Sequence, residues 1–241
     1  MTAILAALAV VTPSSAAELA DCERAQGAAQ VLRTCSQVLE RTDLDPDLRR
    51  LLLIRRGLAW LDEDEPKDAV ADFTHALKLA PGNLDALTGR ARAHAKAGEP
   101  AEAAADWTQI IVQLADGPNA PRGTAYLERA ANNLAAGDAD RALADYAKIL
   151  EFDPKSIKAL IGRANAYVAR GDREKALDEF LRAMAIEPEN TAPYIARAEA
   201  AERWGDTRMA IEDYKFVVKN NSRSAGPYRQ ALKRLGVDTP P

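Results

Sequence analysis

An alanine followed four residues later by an aromatic recurs five times along this chain, as Ala69/Phe73, Ala103/Trp107, Ala142/Tyr146, Ala176/Phe180 and Ala210/Tyr214. Three of the four intervals between these alanines are equal, at about 34 residues, and the one from Ala103 to Ala142 is longer. Residues four apart share one side of an α-helix. A small residue there lets two helix backbones approach, and the ring fills the space beside it. A fixed period of this length means that one supersecondary unit is copied, and that each copy buries its apolar flank only against a neighbour.

The unit reads most clearly between Ile157 and Asn190. Leu160, Ala164 and Tyr167 form one apolar run at helical spacing, and Ala176, Phe180 and Ala183 form a second. Gly171 between them can close the first helix in the left-handed conformation, and Asp172 is placed to accept from free N–H groups of the second. Pro188 stops the second helix. Turn glycines recur at Gly98, Gly137, Gly171 and Gly205, and stop residues at Pro81, Pro154 and Pro188.

With these residues in place the chain resembles the tetratricopeptide-repeat (TPR) family, whose pattern is W-x2-L-G-x2-Y, then A-x3-F, then P. The resemblance runs from Arg50 to about Ser224 and implies an all-α TPR helical-hairpin solenoid, a right-handed superhelix. Five full repeats are expected at 50–83, 84–117, 123–156, 157–190 and 191–224, with a partial hairpin at 18–49 and a capping helix and tail at 225–241. The extra residues at 118–122, around Pro118 and Pro121, predict a longer loop. The family's first glycine survives as Gly57 and is Ala91, Ala130, Ala164 and Ala198 elsewhere; Asp64 replaces the first turn glycine. Gly226-Pro227 opens the last helix, with Tyr228, Leu232 and Leu235 on the side expected to cover the fifth hairpin.

Residues 1–17, MTAILAALAVVTPSSAA, combine an uncharged apolar run with small residues suited to signal-peptidase cleavage, although basic residues at the head are missing and the true start is open. Cys22 and Cys35 are the chain's two cysteines. Carrying the register backwards sets Cys35 at the place of Phe73 and Cys22 at that of Trp60, places that face each other in a hairpin. In an exported chain this suggests a disulfide, the alternative being two buried thiols. Exported bacterial TPR proteins often carry a similar pair, so the resemblance favours the disulfide and a periplasmic or secreted location. Acylation of Cys22 is disfavoured by Asp21 before it.

Composition excludes several function classes. A formal charge of −4 without a Lys/Arg cluster along the sequence argues against nucleic acid as partner. No run approaches the roughly 20 apolar residues of a membrane span. His75 and His94 lack a neighbouring nucleophile or second histidine at metal spacing, so neither catalysis nor a metal or other cofactor is expected.

A charged pattern also repeats. Arg56, Arg90, Arg129, Arg163 and Arg197 precede Asp72, Asp106, Asp145, Glu179 and Asp213, in that order and at one constant separation. A carboxylate built into each unit favours an ion-pair ladder over an anion-binding row, and exposed pairs of this type contribute about 0–1 kcal/mol each.

The TPR resemblance implies that partners bind on the concave face, lined by the first helix of each hairpin. Its residues here are Ile54, Leu58, Arg92, Leu127, Leu134, Lys158, Ile161, Asn165, Val168 and Ile195, with Lys96 and Glu199 beside them. The Lys, Asn and Arg clamp by which some family members hold a carboxylate is not reproduced. The apolar strip Leu127, Leu134, Ile161 and Val168 can instead receive a peptide or helical segment, or pack between repeats. The expected function is therefore a non-catalytic protein–protein interaction scaffold. The alternative is a structural subunit that self-associates through its ends or its apolar strip.

Overall fold

The computed structural model describes residues 20–115, 119–221 and 225–237; the apolar segment at 1–17 lies outside them. Twelve helices follow one another with no strand among the described residues: α1 (Ala28–Leu39), α2 (Pro46–Asp62), α3 (Pro66–Leu79), α4 (Leu84–Lys96), α5 (Pro100–Gln113), α6 (Asn119–Ala135), α7 (Ala139–Phe152), α8 (Ile157–Arg170), α9 (Arg173–Ile186), α10 (Thr191–Arg203), α11 (Thr207–Asn220) and α12 (Gly226–Arg234). A helical turn at 20–24 precedes them. The chain divides into two compact units, Met1–Asp116 and Gly117–Pro241. In each unit consecutive helices pack as hairpins, and each hairpin packs on the next.

The helix ends follow from local chemistry. Asp45, Asn83, Asp138, Asn190 and Asp206 accept N–H bonds from the first turns of α2, α4, α7, α10 and α11. Asp172 stands at the same place before α9 but caps nothing; its carboxylate instead lies 3.6 Å from Arg170 and 3.8 Å from Lys175. Gly171 ends α8 at φ 81°, and Asp64 adopts the same left-handed conformation at φ 64° where the other turns have glycine. The loop expected at 118–122 is largely helix: Asn119 to Arg122 begin α6, which is therefore longer than its counterparts α8 and α10.

The repeating alanine and aromatic form the hairpin cores. Ala69, Ala103, Ala142, Ala176 and Ala210 are fully buried, and the aromatics four residues on are at most 5% exposed. Each of two rings also meets the next hairpin. An added Cβ at Gly89 would lie 2.4 Å from Phe73, and one at Gly162 would lie 2.3 Å from Tyr146. Gly89 and Gly162 are separated by one ordinary period and the one longer step, so they hold equivalent places. Their missing side chains make the room that the preceding ring occupies.

The five arginine–carboxylate pairs all form, each within its own hairpin. Four are two-bonded forks, Arg56 to Asp72 at 2.7 and 2.6 Å, Arg90 to Asp106 at 2.8 and 2.6 Å, Arg129 to Asp145 at 2.9 and 2.6 Å, and Arg197 to Asp213 at 2.8 and 2.7 Å. Arg163 gives a single bond of 2.7 Å to Glu179, whose longer side chain leaves Arg163 Nε buried without a partner. The expectation of exposed pairs is corrected. All five acidic residues are buried, between 2% and 8% exposed, so each guanidinium neutralises a charge shielded from water. Neighbouring hairpins are linked by two of the same arginines, Arg56 donating to Ser36 Oγ at 3.0 Å and Arg90 to Thr74 Oγ1 at 3.5 Å, and by ion pairs at the exposed turns: Lys96 to Asp64 at 2.9 Å, Arg170 to Asp140 at 2.9 Å and Arg173 to Asp206 at 2.5 Å.

Both ends of the described chain are covered. Cys22 and Cys35 are joined in a disulfide, and both are fully buried. Arg55 of α2 donates to the carbonyls of Glu23 and Ala25 at 3.2 and 2.8 Å, tying that segment to the first repeat. At the other end Leu232 of α12 is fully buried, with Tyr228 and Leu235 packed against Ala198, Ala201 and Ala210. Arg234 completes the contact with bonds of 2.9 and 2.6 Å to Glu202 of α10.

Candidate partner-binding groove

In the C-terminal unit the first helices α6, α8 and α10 stand side by side and enclose a groove of about 470 Å³. Its lining follows the repeat register. Ala131, Asn165 and Glu199 form one row, Ala135, Ala169 and Arg203 a second, and Leu134 and Val168 a third; Gly162 and Ala196 lie deeper beside Tyr146 and Ala200. Rows three to four residues apart on each helix share a face, so three helices in register present continuous stripes.

Small residues make the groove possible. Alanine at 131, 135, 169, 196 and 200 leaves space between helices, and the absence of a side chain at Gly162 brings the Tyr146 ring to the lining. Burial pushes the Tyr146 phenol up to about 12, with the charges of Asp145 and Glu128 acting in the same direction, so it stays neutral. The polar members are Asn165, able to donate and accept through its amide, and Glu199 and Arg203, neither of which has an ion-pair partner among the described residues. Such a surface offers apolar contact along its length and polar contact from one row and one end.

The residues expected on this face divide into two groups. Leu134, Asn165 and Val168 line the groove. Leu127 and Ile161 are half-buried against the hairpin cores, Ile195 is half-buried outside the groove, and Lys158 is exposed outside it. Leu127 and Ile161 share a helix face with Leu134 and Val168, seven residues on, and differ from them in standing nearly two turns, about 10 Å, nearer the start of α6 and α8. In the N-terminal unit Leu58 is 47% exposed, Arg92 is exposed and Ile54 is half-buried. Leu58 and Arg92 share the register of Ala131, Asn165 and Glu199. Alanines 131, 135, 169, 196 and 200 carried no chemical signal in the sequence beyond their recurrence.

Neither histidine lines the groove. His94 is half-buried, with Nδ1 2.7 Å from Glu99 Oε2, and His75 is exposed. Among the described residues no group of three or more His, Cys, Asp or Glu side chains is placed to hold a metal ion, and no helix is long and apolar enough to cross a membrane.

The groove-forming hairpins match a family model described as tetratricopeptide repeat over residues 133–202, from the end of α6 to the end of α10. The chain carries tetratricopeptide repeats. Solved TPR structures share the architecture. One from Parabacteroides merdae is 22% identical with a TM-score of 0.70, over 86% of this chain and 80% of that one. TTC0263 from Thermus thermophilus is 19% identical with a TM-score of 0.58, over 77% and 98%. YrrB, a TPR protein with an unusual peptide-binding site, is 14% identical with a TM-score of 0.54, over 83% and 97%. At these identities the likeness concerns the fold. No curated protein matches the chain in sequence.

Proposed function

We propose that this TPR protein is a non-catalytic scaffold that binds a peptide or helical segment of a partner protein in the groove between α6, α8 and α10. The observation that carries the reading is the groove itself, with an apolar lining and with Glu199 and Arg203 left without ion-pair partners at one end. A buried row of that kind would serve packing alone, whereas an open one retains contacts for a ligand. The peptide-binding site of YrrB, on a like fold, is in keeping with it. The setting we infer is the periplasm or the exterior of the cell. A disulfide persists in oxidising compartments, and the apolar segment at 1–17 has the character of an export signal.

The test is a cross-linked pull-down with wild type and with Leu134→Glu plus Val168→Glu, followed by titration of each protein with synthetic segments of whatever is captured. Circular dichroism establishes that the variant is folded. A segment bound by wild type and at least about 10-fold more weakly by the folded variant supports the groove as the site. Equal binding by both removes it.

A further inference from the structure

The charge of this protein is unevenly distributed. The unit Met1–Asp116 carries 12 Lys/Arg against 18 Asp/Glu, a net charge of −6. The stretch from Thr207 to Pro241 carries seven against three, a net charge of +4. The fold concentrates that surplus. Tyr214 of α11 and Tyr228 of α12 stack with ring centroids 5.9 Å apart, and a short connection joins the two helices, as suits antiparallel neighbours. In such a pair the residue after each facing position turns by about 100° toward the same side. Those residues are Lys215 and Arg229. Lys219 and Lys233, four residues further on along each helix, extend the row in opposite directions.

The acids nearby are already engaged. Asp213 is held by Arg197, Glu212 by Arg208, and Glu202 by Arg234. Lys215, Lys219 and Lys233 are exposed and have no ion-pair partner among the described residues. We propose that this basic side of the α11–α12 pair docks the acidic N-terminal unit of a second copy of the chain, head to tail.

A second copy fits better than the other anionic partners. A lipid surface calls for apolar side chains to insert beside the cations. Among the described residues the exposed large hydrophobic ones, namely Leu51, Leu58, Leu79, Leu84, Val112, Phe152 and Leu181, all lie outside α11 and α12. A nucleic acid would be repelled by the net charge of −6 on the other unit, the same charge that makes a second copy complementary. Exposed carboxylates there concentrate in the first hairpin turn, at Asp62, Glu63, Glu65 and Asp68. An interface between two different faces is heterologous, and it propagates unless one face is removed.

The test is sedimentation velocity at micromolar concentration in about 0.02 M and about 0.5 M salt. Wild type is expected to associate at low salt and to weaken at least about 10-fold at high salt. Lys215→Gln, Lys219→Gln and Lys233→Gln together should give a monomer, as should Asp62→Asn, Glu63→Gln and Glu65→Gln together. Mixed, the two variants should form a one-to-one pair that grows no further, because each retains the face that the other lacks. A wild type that stays monomeric at low salt, or whose association ignores salt, overturns the proposal. So does a mixture that remains monomeric, or binding to anionic vesicles without self-association.

Discussion

Replacing Arg90 by alanine separates a buried charge pair from a surface one. Asp106 keeps 3% of its side-chain exposure, and its two strongest partners are the Arg90 nitrogens at 2.8 and 2.6 Å. Truncating the arginine leaves that carboxylate without its counter-charge. Breaking a fully buried pair costs about 3–5 kcal/mol. The Arg90 side chain is 20% exposed, so water entering the truncated site screens part of this, and about 2–4 kcal/mol is expected. For a chain of this size about 3 kcal/mol corresponds to a Tm lowered by roughly 6–12 °C. Urea unfolding followed by circular dichroism gives the free energy, and a thermal scan gives the Tm. Arg90→Met with Asp106→Leu, which removes both charges, should recover to within about 1 kcal/mol of wild type. Arg163→Ala should cost less than Arg90→Ala, because Arg163 makes one bond and Glu179 also has Arg182 at 3.3 Å. A loss below about 1 kcal/mol for Arg90→Ala is the value of a surface pair and would refute the argument from burial.

Three other perturbations probe other parts of the fold. Gly162→Ala places a methyl 2.3 Å from the Tyr146 ring and should cost about 1–3 kcal/mol while narrowing the groove, both measurable by urea unfolding and segment titration. Reducing the Cys22–Cys35 bond, or replacing both cysteines by serine, should cost about 3 kcal/mol, and alkylation without reductant should add no label to the intact mass. The buried Tyr146 phenol titrates near 12, whereas an unfolded one titrates near 10; the stability it contributes is therefore full below pH 10 and lost as pH rises from 10 through 12. Tyr146→Phe should flatten that part of the stability profile, and an unchanged slope would remove Tyr146 as its cause.

The period alone carries the hairpins. Ala176 and Phe180 at one spacing and Gly171 at the turn suffice to place α8 against α9, because those residue types admit few other uses at those positions. Pairing was also legible, since an arginine and an acid recur at one separation in every copy. Depth was not. A spacing shows that Arg90 can reach Asp106, but whether water reaches them depends on side chains from other helices. The groove was partly legible for a related reason. Ile161, Asn165 and Val168 share one face by their spacing, yet Asn165 and Val168 line the groove and Ile161, nearer the start of α8, does not; spacing gives the face of a helix and not which part of its length neighbouring helices leave open. Nothing in the sequence next to Gly162 marks the close approach of the Tyr146 ring, which comes from the preceding hairpin. The basic row at Lys215, Lys219, Arg229 and Lys233 comes from two helices, so no contiguous run of charge in the sequence announces it. Asp172 shows the limit of motif reading: a suitable residue at a suitable place made a different contact.

Because the buried carboxylate of every full repeat finds its arginine inside the same hairpin, this gene can change its repeat number without an electrostatic accident. Recombination between two repeats that excises one period in register joins the front of one copy to the back of another. Wherever the crossover falls, the hybrid still has an arginine in its first helix and an acid in its second, at the same separation. The contacts between hairpins, such as the bond of Arg90 to Thr74 and the exposed pair of Arg173 with Asp206, must find new neighbours, and the exposed pairs among them contribute little. Lengthening or shortening the array is therefore mild at the level of charge, and copy number is open to drift and selection in a way that a charge network spanning the repeats would forbid.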